Sequence, residues 1–74
     1  MQKFRIEILT NNYTIIPTAA DALKEAENIA VAALHDNANG VRIYRAKDKK
    51  MIKEYYFANG IANEIHVHSI LPFA

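Results

Sequence analysis

Apolar and polar residues alternate at the start of the chain, where Phe4, Ile6 and Ile8 are interleaved with Arg5 and Glu7. A period of two belongs to a strand with one buried face, and it predicts a first strand over residues 3–9. Thr10, Asn11 and Asn12 supply turn chemistry, and the β-branched run from Tyr13 to Ile16 predicts a segment that is either merely extended or folds back as a short second strand before Pro17. From Thr18 the period changes. Ala19, Ala22, Leu23, Ala26, Ile29, Ala30, Ala33 and Leu34 recur at three and four, which predicts a single helix over residues 18–36 with Asp21, Lys24, Glu25 and Asn28 off the apolar stripe. Thr18 and Asp21 approximate a capping box, acids near the start suit the helix macrodipole, and the stretch from Asn37 to Gly40 ends the helix. A stripe made mainly of alanine lets the helix approach a sheet closely, leaving Phe4, Ile6 and Ile8 to fill the space from the other side.

The segment after Gly40 predicts a hairpin whose register follows from which side chains share a face. With Asp48, Lys49 and Lys50 as a three-residue loop, Ile43 faces Tyr55 and Val41 faces Phe57. The core face then collects Val41, Ile43, Tyr55 and Phe57, while Arg42, Tyr44, Glu54 and Tyr56 share the opposite face. A two-residue loop would set Glu54 beside Ile43 and bring charge into the core, so burial favours the three-residue loop. After Asn59 and Gly60, the alternating run Ile65, His66, Val67, His68 adds an edge strand before Pro72. The predicted class is α+β: one domain over residues 1–74, with an antiparallel sheet of three to five strands and one helix packed on one face, in the order β(β)αββ(β).

Composition narrows the picture. A chain of 74 residues with 51% hydrophobic and 23% charged residues is an ordinary globular domain, and one so small buries only about 60% of its unfolded surface. It contains no cysteine, so its core forms without disulfides, in keeping with a reducing, cytoplasmic setting. The charged amino terminus lacks a signal-peptide pattern, and no apolar run reaches the length of a membrane span, so no membrane partner is expected. A thin core raises the expectation of a partner or of a homo-oligomer.

The net charge of +1 conceals a dipolar molecule. Six of the nine basic residues, Arg42, Arg45, Lys47, Lys49, Lys50 and Lys53, crowd the hairpin around Tyr44, with Tyr56 on its second strand, whereas Asp21, Glu25, Glu27 and Asp36 fall in the predicted helix. Those eight hairpin residues are the candidate partner-binding set. Their cations could neutralise phosphates while Tyr44 and Tyr56 stack on exposed bases. The same residues also suit the solvated face of a half-covered sheet, a lysine-rich turn discourages edge pairing, and Glu54 interrupts the basic surface. The acidic outer face of the helix, with Ala32 among Asp21, Glu25 and Asn28, competes as a docking surface.

Other chemistry is sparse. His66 and His68 share one face of a strand, but a structural zinc site wants four ligands, and the remainder would have to come from His35 or Glu64, so no metal or other cofactor is expected. His35 is most simply a favourable charge at the helix C-terminus. One serine, no cysteine and two glycines leave no nucleophile with its base and no phosphate-cradling loop, so the expected function is not enzymatic.

In its order of parts the chain resembles small phage-encoded proteins, including some anti-CRISPR proteins of the type I-F group. The likeness lies in the amino-terminal strand, the extended run ending in Ile15 and Ile16, the helix TAADALKEAENIA and the hairpin GVRIYRAKDKKMIKEYYF, roughly residues 3–58. It implies a non-enzymatic inhibitor that blocks a host protein complex by stoichiometric binding through its sheet and loops. The basic hairpin departs from the strongly acidic inhibitors that mimic DNA. A looser likeness to dodecin lacks the expected tryptophan. The expectation is therefore a binding protein whose first partner is a host protein complex, with nucleic acid as the alternative partner and a homo-oligomeric module as a third reading.

Overall fold

A computed structural model describes residues 2–57 and 65–69. Five strands, β1 (Phe4–Leu9), β2 (Ile15–Ala20), β3 (Gly40–Arg45), β4 (Lys50–Phe57) and β5 (Ile65–Ser69), form one antiparallel sheet in the order β2-β1-β3-β4-β5. One helix, α1 (Leu23–His35), packs on one face of it. The α+β class, the single helix and the strand after residue 64 are as the sequence predicts. The predicted turn at Asn59 and Gly60, the stop at Pro72 and the side chain of Phe57 lie outside the described residues.

The helix is shorter than its alanine spacing suggests. Thr18, Ala19 and Ala20 belong to β2, paired with Ile6, Arg5 and Phe4, so strand two runs through Pro17 and the predicted boundary at Thr18 is wrong. Ala19 fits the helical spacing, but a ladder of backbone bonds to β1 from Ile16, Thr18 and Ala20 settles the choice in favour of the strand. No capping box forms. Ala22 is the N-cap, extended at φ −130° and ψ 149°, and it has no side chain that can accept a hydrogen bond from the first turn. The C-terminus is better satisfied: Ala38 N–H donates to the Ala33 carbonyl at 3.0 Å, Asn37 N–H donates to the Leu34 carbonyl at 3.3 Å, and Asn37 adopts φ 72°. That is a Schellman closure with asparagine at the left-handed position.

The core lies between α1 and the sheet. Ala26, Ala30 and Leu34 face Ile6, Val41, Ile43, Ile52 and Tyr55, with Ala20 and Ala38 closing the two ends. The helix lies chiefly over β1 and β3. Its small side chains allow that close approach, and the branched residues of the sheet supply the volume.

The hairpin register differs from the prediction. The loop has four residues, 46–49, with Lys49 at φ 61° and its N–H donating to the Arg45 carbonyl at 2.8 Å. Val41, not Ile43, pairs with Tyr55, and Ile43 pairs with Lys53. The register then shifts between Ile43 and Tyr44, so that Tyr44 pairs with Met51 and Ile52 is the extra residue of a bulge. Ile52 is fully buried. The faces survive because the predicted and observed pairings near Tyr55 differ by two residues, and an even slip leaves each side chain on its own side of the sheet.

Candidate protein-binding face

The helix covers one face of the sheet and leaves the other open. Register and alternation place rows of side chains across that open face. One row runs Pro17, Glu7, Arg42, Glu54, His68, and the rows beside it run Ala19, Arg5, Tyr44, Met51 and Ile15, Leu9, Gly40, Tyr56. Charge alternates along the first row. Arg42 Nε donates to Glu54 Oε2 at 3.1 Å across β3 and β4. This bond to Glu54, followed by one with the Tyr44 hydroxyl, holds the guanidinium pKa above its ordinary value.

The structure divides the eight predicted site residues among three places. Arg42, Tyr44 and Tyr56 share the open face. Arg45, Lys47, Lys49 and Lys50 lie at the hairpin tip, where Arg45 makes a two-pronged pair with Asp48, Nε to Oδ1 at 3.1 Å and Nη2 to Oδ2 at 2.6 Å. The Arg45 pair holds the Asp48 carboxyl at about 2, and the Lys50 N–H, donating at 3.2 Å, adds to the effect. Lys53 lies on the other side of the sheet, where Nζ bonds Glu27 Oε2 on the helix. The Tyr55 hydroxyl sits near that pair, its pKa raised first by burial and then by the Glu27 charge.

The basic cluster of the sequence is thus broken up. Arg42, Arg45 and Lys53 each have a carboxylate, while the ammonium groups of Lys47, Lys49 and Lys50 form no ion pair or hydrogen bond among the described residues. The predicted acidic helix is reduced too: Asp21 and Asp36 lie outside α1, Glu27 turns to the sheet, and the exposed residues of the helix are Lys24, Glu25, Asn28, Val31, Ala32 and His35.

Alternation puts Arg5 and Glu7 on the polar side of strand one but leaves them unconnected to Arg42 and Tyr44. The missing fact is that β1 lies between β2 and β3, which no local pattern reveals. Neither does sequence reveal a cleft of about 380 Å³ over Gly40, where the absence of a side chain opens a gap between Leu9 and Tyr56. A wider groove of about 710 Å³ lies between the β1–β2 turn and the C-terminal half of α1. Thr10, Asn12 and Thr14 bond to one another at its rim.

Among the described residues no three histidines, aspartates or glutamates come together as metal ligands, and no helix is long and apolar enough to cross a membrane. Glu64 and the side chain of His66 lie outside the described residues. Neither a family model, a curated protein nor a solved structure matches the chain.

Proposed function

We propose that the chain is a non-enzymatic binding protein that engages a protein partner stoichiometrically through the open face of its sheet. The observation that carries this reading is the charge alternation from Glu7 through Arg42 to Glu54, set among the aromatic residues Tyr44 and Tyr56. A polyanion gains from cations that are free to neutralise phosphates, whereas three of the six hairpin cations here are held by carboxylates. Mixed charge around tyrosine and arginine anchors suits a protein interface, where complementary potentials set specificity and association rate. The narrower form of the proposal, a phage-type inhibitor that blocks a host protein complex, draws its support from the resemblance in element order. Nucleic acid is a second reading, supported by the three lysines of the hairpin tip.

Two measurements separate these readings. Fluorescence anisotropy with labelled single- and double-stranded DNA and RNA at about 50 and about 200 mM salt detects phosphate contacts through an affinity loss of orders of magnitude. Affinity capture with the wild-type chain and with the double variant Arg42→Ala, Tyr56→Ala tests the face. The proposal expects no salt-steep nucleic-acid binding and a captured protein that the double variant fails to retain. Salt-steep binding, or capture indifferent to both substitutions, overturns it.

A further inference from the structure

We infer that the cleft over Gly40 is a socket for an arginine side chain of the protein partner. This deepens the proposed function and rests on it. Three features of the cleft specify the occupant. Its lining includes the apolar residues Leu9 and Ile15 and the aromatic Tyr56 beside Gly40, which has no side chain, so it takes a long hydrocarbon stem. Its lining also holds two carboxylates, Glu7 and Glu54, against one cation, Arg42. Arg42 is already bonded to Glu54, and among the described residues the half-buried Glu7 carboxylate has no ion pair or hydrogen bond.

The unpartnered carboxylate decides between a neutral and a cationic anchor. A partner that covered Glu7 with a leucine or phenylalanine would strip water from a carboxylate and return nothing, a loss that grows with burial. A guanidinium restores the lost interactions, offers two parallel donors to one carboxylate and lies flat beside a tyrosine ring. Lysine has the stem and the charge but lacks the planar fork. Glu7 and Gly40 occupy adjacent rows on neighbouring strands, a diagonal that long side chains span.

The opposite end of the face has the opposite sign. Glu7 also lines a smaller hollow with Arg5, Tyr44 and Lys49, in which the two cations outnumber the one carboxylate, and Lys47 lies in the same turn as Lys49. A partner surface with an arginine over Gly40 and acidic residues beyond it would match both ends, and the two ends together fix its orientation.

The test uses the full chain, labelled with nitrogen-15, and the peptide acetyl-Gly-Arg-Gly-amide. The neutral comparison is the same peptide with citrulline, which keeps the shape and loses the charge. The expected result is a set of amide shifts centred on Leu9, Asn39, Gly40 and Tyr56, with arginine bound at least about tenfold more tightly than citrulline. Glu7→Gln should erase that preference while leaving the fold intact. Gly40→Val should abolish binding of both peptides. A β-carbon at Gly40 would stand 3.4 Å from the Tyr55 carbonyl oxygen, an ordinary contact, so a side chain can begin there without a backbone clash. Equal binding of the two peptides, shifts elsewhere, or no shift at the solubility limit overturns the socket. If peptide binding fails while capture still depends on Arg42 and Tyr56, the face remains and the arginine socket falls. If capture ignores those residues, the underlying reading falls, whatever the peptide does.

Discussion

Ile52 gives the sharpest test of how the fold is built. In an unbulged hairpin, residue 52 would alternate with Lys53 and project onto the open face, where replacement by alanine costs within about 0.5 kcal/mol. The bulge instead places its side chain wholly inside the core, against a helix of small residues and strands paired on both sides. Such a site has little room to collapse, so Ile52→Ala should cost about 3 kcal/mol, within the ~2–5 kcal/mol range for a buried isoleucine. For a chain of 74 residues, total stability at the usual ~0.05–0.15 kcal/mol per residue is only ~4–11 kcal/mol, so this is a large fraction of it. Urea unfolding followed by far-UV circular dichroism reads the effect: with a slope near 1 kcal/mol per molar, typical of a small domain, the midpoint should fall by about 3 M. Ile52→Val should cost ~0.5–1.5 kcal/mol, confirming that the loss scales with removed volume. A cost below about 1 kcal/mol for alanine would refute both the bulge and the core assignment.

Other substitutions test the remaining elements. Ala22→Asp supplies the missing N-cap acceptor at a residue already in the required extended conformation, and should stabilise by about 1 kcal/mol, raising Tm by about 4–8 °C in a calorimetric scan. Asp48 should titrate near 2 by NMR. Because that folded value is depressed below the ordinary ~3.9, its stabilising contribution is present above the ordinary value and is lost as pH falls through about 2; Arg45→Gln should move the titration back toward the ordinary range. Pro17→Thr should leave the chain folded but promote association at sheet edges, measured by light scattering during incubation. A variant as monodisperse as the wild type would remove the guarding role of the proline.

That role follows from alternation along β2. The Thr10 N–H donates to the Thr14 carbonyl at 2.9 Å, so residues 14, 16, 18 and 20 turn their backbone groups toward β1 and residues 15, 17 and 19 turn theirs outward. Pro17 therefore stands in the middle of the outward set and deletes its central donor, at an edge where Ile15 and Ile16 are both more than half exposed. From local pattern alone the same proline marks the end of a strand, which is the commoner meaning of the residue. Alanines 19 and 20 mislead for a related reason: their spacing fits helix and strand alike, and only pairing with Arg5 and Phe4, distant in the chain, decides between them. By contrast, Phe4, Ile6 and Ile8 have an unambiguous period, and Ala26, Ala30 and Leu34 repeat on one helical face without competition. The core faces of β1 and α1 were therefore legible. The bulge was not, because an extra residue in one strand is a property of the pair of strands.

The same distinction governs the candidate site. Six basic residues within one hairpin suggest a continuous positive surface only if the strands are taken alone. Folding gives Arg42 a carboxylate across the strand pair, Arg45 one within its own turn and Lys53 one on the helix, so three partners at three sequence separations dissolve the cluster. The pairs at Arg42 and Arg45 are surface pairs, screened by water, and contribute little to stability. Their larger consequence is for recognition. The Arg42 pair belongs to a row whose sign changes from strand to strand, and under the proposed function a partner would have to match that sequence of signs. Glu7 completes the argument, since among the described residues it is the carboxylate of the central row left without an internal counter-ion, beside the one position of the face that has no side chain.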